Sequence, residues 1–230
     1  ALIKVAGREA TRLKESDLGY AIAPRLNAAG RLQDMALGIE CLLADNDFTA
    51  QKLAQQLDEL NKERRVIETQ MKEQALSNIN SLMNKIEKGG QLPVALCLMD
   101  LSWHQGVIGI LAGRLKERYY RPTIIFAQVS EKELKGSARS VSSLNIRDLL
   151  AAVDRDNPGL INKFGGHAMA AGLSIHPAAF GDFQAAFLRE TEKYLDLSAC
   201  VGKLLTDGAL AYDDFTLQTA LLLQESGPWG

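Results

Sequence analysis

L92PVALCLMDLSWHQGVIGILAGRLKERYYRPTIIFAQV129 reads as a strand, a helix and a second strand. Leu92–Asp100 is a continuous apolar run closed by an aspartate, which suits a strand buried on both faces. His104–Tyr119 repeats apolar residues at helical spacing, with Gly109 and Gly113 inside it. Pro122–Val129 is the second apolar run. Strand, helix and strand over this length make a βαβ unit.

Working outward, Lys135–Val141 (KGSARSV) reads as a short strand and Leu144–Val153 as a helix with Asn145 near its cap. Gly165–Ile175 (GGHAMAAGLSI) reads as a turn running into a helix or strand, and Ala178–Leu197 as a final amphipathic helix. Upstream, residues 47–88 contain no Gly and no Pro, with Leu53, Leu57, Leu60, Ile67, Met71, Ile79, Leu82 and Ile86 at steps of three, four and seven. That is a narrow apolar stripe on one long helix, about 60 Å at 1.5 Å per residue. Gly89-Gly90 would end it as a C-cap. Such a rod suits a bridge between two lobes; a coiled-coil dimer is the plain alternative. Residues 1–46 read as short helices and loops, with Ser16 and Asp17 as N-caps and Pro24 interrupting any helix. Residues 198–230 start something strand-like and add a short helix. The fold class is therefore α/β: a helical tail, a long connecting helix, and an α/β domain with a mixed sheet.

Composition narrows the chemistry. The 230 residues are 47% hydrophobic with a net charge of −2, so any anion site must be a local cluster of Arg, Lys and backbone N–H groups. Cys41, Cys97 and Cys200 are far apart with no CxxC, against a zinc site or a disulfide framework, and make a reducing compartment the default. No signal peptide or membrane-length apolar run stands out. Both ends look cut from something longer.

Four places carry candidate chemistry. In GSARS, strand period two puts Ser137 and Arg139 on one face, a hydroxyl beside a planar donor fork that would grip phosphate; an ordinary exposed strand is the alternative. His167 follows Gly165 and Gly166 among small residues, where backbone N–H groups and an imidazole could meet an oxyanion; tight element packing would also explain it. His104 and Gln105, at the strand-to-helix turn after Trp103, lie on the usual ligand side of an α/β sheet, or merely cap a helix with Trp103 as an anchor. PRLNAAGR gathers Arg25, Asn27 and Arg31 around Ala-Ala-Gly, as a close approach or a surface loop. No Asp and His cluster has metal-site spacing.

Taken in order, VAGR (5–8), PRLNAAGR (24–31), DLSWHQGVIGILAGRL (100–115), RPTIIFA (121–127), KGSARS (135–140) and FGGHAMAAGLSI (164–175) closely resemble the RecJ family of single-strand-specific exonucleases, in the DHH phosphoesterase superfamily. The likeness covers essentially the whole chain. It implies the tail of a catalytic DHH domain at 1–46, a connecting helix at 47–90, a DHH-associated domain at 91–197, and a segment leading to an OB-fold at 198–230. It implies Mn²⁺ or Mg²⁺ in the full-length enzyme, held by Asp and His ligands that lie outside this chain, so the piece alone should be inactive. It implies single-stranded DNA entering between lobes and degraded 5′ to 3′ in repair and recombination. A single-strand-binding protein and a helicase would be partners, no membrane would be involved, and the location would be cytoplasmic. By the same resemblance Ser137 and Arg139 grip the 5′-phosphate. His167, with Gly165 and Gly166, faces the catalytic centre in a supporting role. Asn27, Arg31 and Arg25 line the cleft near the scissile end, with His104 and Gln105 beside it. A DHH phosphoesterase acting on short oligonucleotides or dinucleotides, and a non-catalytic replication scaffold, are the other readings.

Overall fold

The computed structural model describes residues 1–85, 92–195, 201–202 and 206–226, and of 78–85 only the backbone. The expected Gly89-Gly90 cap, the Ile86 end of the apolar stripe, Cys200 and the terminal GPWG lie outside the described residues, as do the side chains of Ile79 and Leu82. Contacts divide the chain into two units, Ala1–Lys62 with Lys203–Gly230, and Glu63–Gly202.

In the first unit, α1 (Leu2–Val5), α2 (Glu15–Asp17), α3 (Ala23–Leu32) and α4 (Ala36–Leu43) precede α5 (Asp47–Lys85), which continues into the second unit. Pro24 does not break a helix. It occupies the first turn of α3, where its missing N–H has no intrahelical acceptor to lose. A π-helical turn, Leu18–Ile22, leads into it. Asp17 is a cap of a different kind from the one expected: it closes back on Lys14 N–H and pairs with Arg8. The core is Ala28 and Ala29 of α3, Cys41 of α4, and Ala54, Leu57 and Leu60 of α5. Arg25 binds α3 to α5, its Nε 2.8 Å from Asp58 Oδ1, while its other nitrogens donate to the carbonyls of Ala21 and Val5.

Among the described tail residues there is a 3-10 turn at Tyr212–Asp214 and α9 (Leu217–Glu225), but no strand. Thr216 caps α9, as its hydroxyl accepts from Thr219 N–H.

The second unit is built on one mixed five-stranded sheet. Its strands are β1 (Leu96–Asp100), β2 (Thr123–Ser130), β3 (Glu133–Arg139), β4 (Lys163–Gly166) and β5 (Ala170–Ile175), in the order β1-β2-β3-β5-β4. β1 and β2 run parallel through α6 (Ile108–Tyr119), and the other neighbours are antiparallel. This is the βαβ unit that the apolar runs predict. The helix starts at Ile108, four residues later than expected, because His104 Nδ1 accepts Gly106 N–H and closes a separate turn first.

One sheet face is the main core. Leu134 and Ala138 of β3, Leu173 and Ile175 of β5, and Ile124 and Phe126 of β2 pack there with α7 (Ile146–Asp156) and α8 (Phe180–Tyr194). Phe126 meets Phe180 and Phe183 edge-on at 5.7 and 5.4 Å, a favourable aromatic geometry. Asn145 caps α7, its side-chain oxygen accepting from Arg147 and Asp148 N–H. α6 lies on the opposite face, so residues of odd number on β3 look toward it.

The glycine-rich segment is a hairpin, not a turn entering a helix. Gly165 and Gly166 sit inside β4, opposite Gly172 and Ala171 of β5. The turn is Ala168-Met169, closed by His167 N–H donating to Ala170 O at 2.8 Å. Gly166 has φ +149°, and a Cβ there would come within 2.4 Å of Ala170 O. Glycine is needed because the partner strand's backbone occupies the side-chain position.

Candidate functional site

The register of β3 puts Lys135, Ser137 and Arg139 on the α6 face, because successive side chains alternate. Arg139 Nη1 is 3.2 Å from Ser137 Oγ and donates to Ala138 O at 2.8 Å. Both residues are half-buried. α6 comes down on this pair with its first turn. A Cβ on Gly109 would stand 3.1 Å from Arg139 Nη2 and 3.1 Å from Ser137 Oγ, so the helix approaches this closely because residue 109 has no side chain. The first N–H groups of a helix have no intrahelical acceptor and carry its positive pole. A guanidinium, a hydroxyl and a helix start thus meet on one small patch. That patch can bind an oxyanion.

The loop before α6 completes the surroundings. Trp103 is 3% exposed and donates from Nε1 to Gln74 Oε1 of α5 at 2.9 Å, so it serves as an anchor. His104 is half-buried and caps the local turn. Exposed Gln105 accepts from Lys135 Nζ at 3.1 Å and so lies over the same β3 face as Ser137 and Arg139. Lys135 belongs to this patch but does not stand out as a motif residue. Counting back two residues from Ser137 on a period-two strand finds it.

The hairpin extends the same surface. Ser137 is opposite Gly172, and Gly172 is opposite Gly165, so the register runs from the hydroxyl across two bare glycines. Arg139 is opposite Ala170, the residue that accepts from His167 N–H, which brings exposed His167 into the row of Arg139. The turn is held from outside: Ala168 O accepts from Ile146 N–H and Met169 O from Ser140 N–H. The expected site residues Ser137, Arg139, Gly165 and His167 therefore share neighbouring rows of one sheet; Gly166 pairs with Ala171 in a row that faces the core, and Gln105 and His104 lie in the loop before α6.

Asn27, Arg31 and Arg25 lie on α3 in the first unit. Asn27 and Arg31 are exposed and one turn apart. Arg25 is engaged with Asp58. Burial would raise the Asp58 carboxyl pKa, but hydrogen bonds and charge from Lys62 and Arg25 outweigh it and hold it below the usual carboxylate value.

Among the described residues, no group of three or more His, Cys, Asp or Glu side chains could hold a metal ion. The described residues therefore do not fit a two-metal centre. No described helix is long and apolar enough to cross a membrane.

The DHHA1 domain family model matches residues 89–193. The single-stranded-DNA-specific exonuclease RecJ of Dickeya dadantii is 48% identical over 231 aligned residues, 100% of this chain and 39% of the relative. The protein of that name in Escherichia coli is 47% identical with the same coverage. The chain thus spans about two fifths of the length of these relatives. A crystal structure of RecJ from Thermus thermophilus in complex with Mg²⁺ matches with a TM-score of 0.71 at 29% identity, covering 85% of this chain and 28% of that one. A structure of exonuclease RecJ bound to manganese matches with a TM-score of 0.69 at 30% identity, covering 85% of this chain and 45% of that one. In sequence over its whole length, and in fold over most of it, the chain is a homologue of the bacterial RecJ exonucleases and carries their DHHA1 domain.

Proposed function

We propose that this chain supplies the strand-holding part of a 5′-to-3′ exonuclease specific for single-stranded DNA, and that Ser137 and Arg139 grip the terminal 5′-phosphate. The observation that carries this is the close descent of α6, at Gly109, onto the Ser137–Arg139 pair. A guanidinium and a hydroxyl meet there beside the first turn of α6. A terminal phosphate has more charge and more free oxygens than an internal one, so a site of this kind favours the end of a strand. Holding the end fixes where hydrolysis begins.

His167 lies in the row of Arg139 and supports the reacting phosphate from the hairpin. Gly165 and Gly172, paired on the α6 face, leave a side-chain-free floor on which a nucleotide can lie, and Gly166 lets the hairpin close beside it. Asn27 and Arg31, in the first unit, offer an exposed amide and guanidinium to nucleic acid, and in the second unit His104 and Gln105 shape the loop beside the phosphate grip. Arg25 contributes by holding α3 in place. The divalent ions, Mn²⁺ or Mg²⁺, are held by residues outside this chain, and this piece has no nuclease activity alone. With this reading go a role in DNA repair and recombination, a cytoplasmic location, and work beside a single-strand-binding protein and a helicase.

The test is binding of short oligothymidylates that differ only in their 5′ end. The chain should bind the 5′-phosphorylated strand about tenfold or more tightly than the 5′-hydroxyl strand, as one charge-assisted contact set implies. Arg139→Ala should abolish the difference. Equal affinity for both ends in the wild-type chain, or an unchanged preference in Arg139→Ala, refutes the assignment.

A further inference from the structure

Within the second unit the long helix α5 is tied to α6 and to the loop before it. Arg114 Nε of α6 lies 3.5 Å from Glu68 Oε1 of α5. In the loop, the Trp103 indole N–H donates to Gln74 Oε1 at 2.9 Å, and Ser102 Oγ stands 3.5 Å from the same oxygen. Between Glu68 and Gln74, and one residue beyond, α5 buries Met71 and Ala75. One tie precedes Gly109 in the chain and the other follows it, so together they fix where the first turn of α6 lies.

The loop transmits that constraint turn by turn. Ser102 N–H and hydroxyl donate to Asp100 Oδ1, and Trp103 N–H donates to Asp100 O. Gly106 N–H then donates to His104 Nδ1, and Val107 N–H to His104 O. These bonds run from the end of β1 to the residue before α6. Gly109 follows at once, where a Cβ would stand 3.1 Å from both Arg139 Nη2 and Ser137 Oγ. At such separations a shift of roughly half an ångström in the first turn of α6 alters contact with both groups. The source of the acceptor is informative. A buried indole N–H has to be matched, and a carbonyl of the loop itself would serve. Here the match comes from the side chain of an exposed residue on the connecting helix. The earlier turns of that helix carry Ala54, Leu57 and Leu60 of the first unit's core.

We propose that Gln74 is a positioning residue of the 5′-phosphate grip: by holding Trp103 it sets the height of the first turn of α6 above Ser137 and Arg139. The inference rests on the reading of that pair as the terminal-phosphate grip. Gln74 acts through Trp103 and the loop, and needs no contact with the strand. Loss of its acceptor therefore shows in the discrimination between 5′ ends, which a residue that only supported the fold would leave unchanged.

The test titrates the chain with 5′-phosphorylated and 5′-hydroxyl oligothymidylate, in the cold, where circular dichroism shows each variant folded. Gln74→Met keeps the side-chain length and removes the acceptor; Gln74→Glu keeps an acceptor; Trp103→Phe removes the donor. Gln74→Met should cut the preference for the 5′-phosphate about threefold to fivefold and leave the 5′-hydroxyl strand bound as in the wild type. Gln74→Glu should restore the preference. Trp103→Phe should show the same loss as Gln74→Met, and the double variant Gln74→Met/Trp103→Phe no further loss, because both changes break one bond. If Trp103→Phe does not fold, the two Gln74 variants decide. An unchanged preference in Gln74→Met, equal weakening of both strands, or a loss that Gln74→Glu does not restore overturns the inference, as does a loss that doubles in the double variant. A wild type that binds both ends alike overturns the grip and this inference with it. A wild-type preference that Gln74→Met retains overturns this inference alone.

Discussion

Gly109→Ala separates stability from binding more sharply than any other single change. The added methyl sits in the first turn of α6, 3.1 Å from Arg139 Nη2 and 3.1 Å from Ser137 Oγ. Non-bonded contacts settle near 3.5–4.0 Å, so both polar atoms must retreat by roughly half an ångström. On the folding side, alanine is the better helix former by up to about 1 kcal/mol, and about half of that applies at a helix end. The flexible ends of the arginine and serine give way cheaply, so the melting temperature should hold or rise by about 1–2 °C. On the binding side, a hydrogen bond to a charged group contributes about 1.5–3 kcal/mol and weakens with small displacements. Loss of about half of it corresponds to a roughly tenfold weaker hold on a 5′-phosphate. The assay is a thermal melt beside titration with 5′-phosphorylated and 5′-hydroxyl oligothymidylate. The expected result is an unchanged or higher melting point with a 5′-phosphate preference cut about tenfold. An unchanged preference, or a variant that unfolds several degrees earlier, refutes the reasoning.

Gly136→Ala should destabilise the second unit by about 1–3 kcal/mol through overpacking, because a Cβ there would come 2.6 Å from Phe126 Cε1 and 2.7 Å from Leu173 Cδ2; a neutral melt would contradict the packing described. Removing the cap of α7 with Asn145→Ala should cost about 1 kcal/mol, seen as a melting point about 2–4 °C lower. Asp58→Asn should lower the stability of the first unit at neutral pH by about 1–3 kcal/mol, between the values for surface and buried pairs. The Asp58 pKa is lowered by folding, so the pair's stabilisation is present above the ordinary carboxylate value near 3.9 and is lost as pH falls through the lower folded value. The gap between wild type and Asp58→Asn should therefore close as pH drops below about 4, and a gap that stays constant across that range would exclude the pair as its cause.

The sequence makes the sheet's first half plain, because two continuous apolar runs around a glycine-bearing amphipathic helix admit few other folds. The second half is harder for a physical reason. Gly165-Gly166 looks like a turn signal, yet both lie within β4, where Gly166 lets β5 approach. The actual turn, Ala168-Met169, contains no turn-forming residue, and neither takes a left-handed φ. Its carbonyls are held by Ser140 and Ile146, contacts remote in sequence that no local pattern encodes. Pro24 misleads in the same way, since a proline that would break a helix interior is well suited to its first turn. Within the site, Ser137 and Arg139 follow from strand alternation alone. Lys135 follows from the same rule once β3 is extended backwards. The row from Ser137 through Gly172 to Gly165 does not, because it joins residues from three strands and depends on register. The role of Gly109 is equally hidden, since nothing local to α6 says what lies beneath it.

The most direct measurement of the central claim is a crystal structure of the chain with a short 5′-phosphorylated oligothymidylate. The account predicts the terminal phosphate within hydrogen-bond distance of Arg139 and Ser137, against the first turn of α6. A 5′-phosphate bound elsewhere, with that pair turned away from the strand, would contradict it.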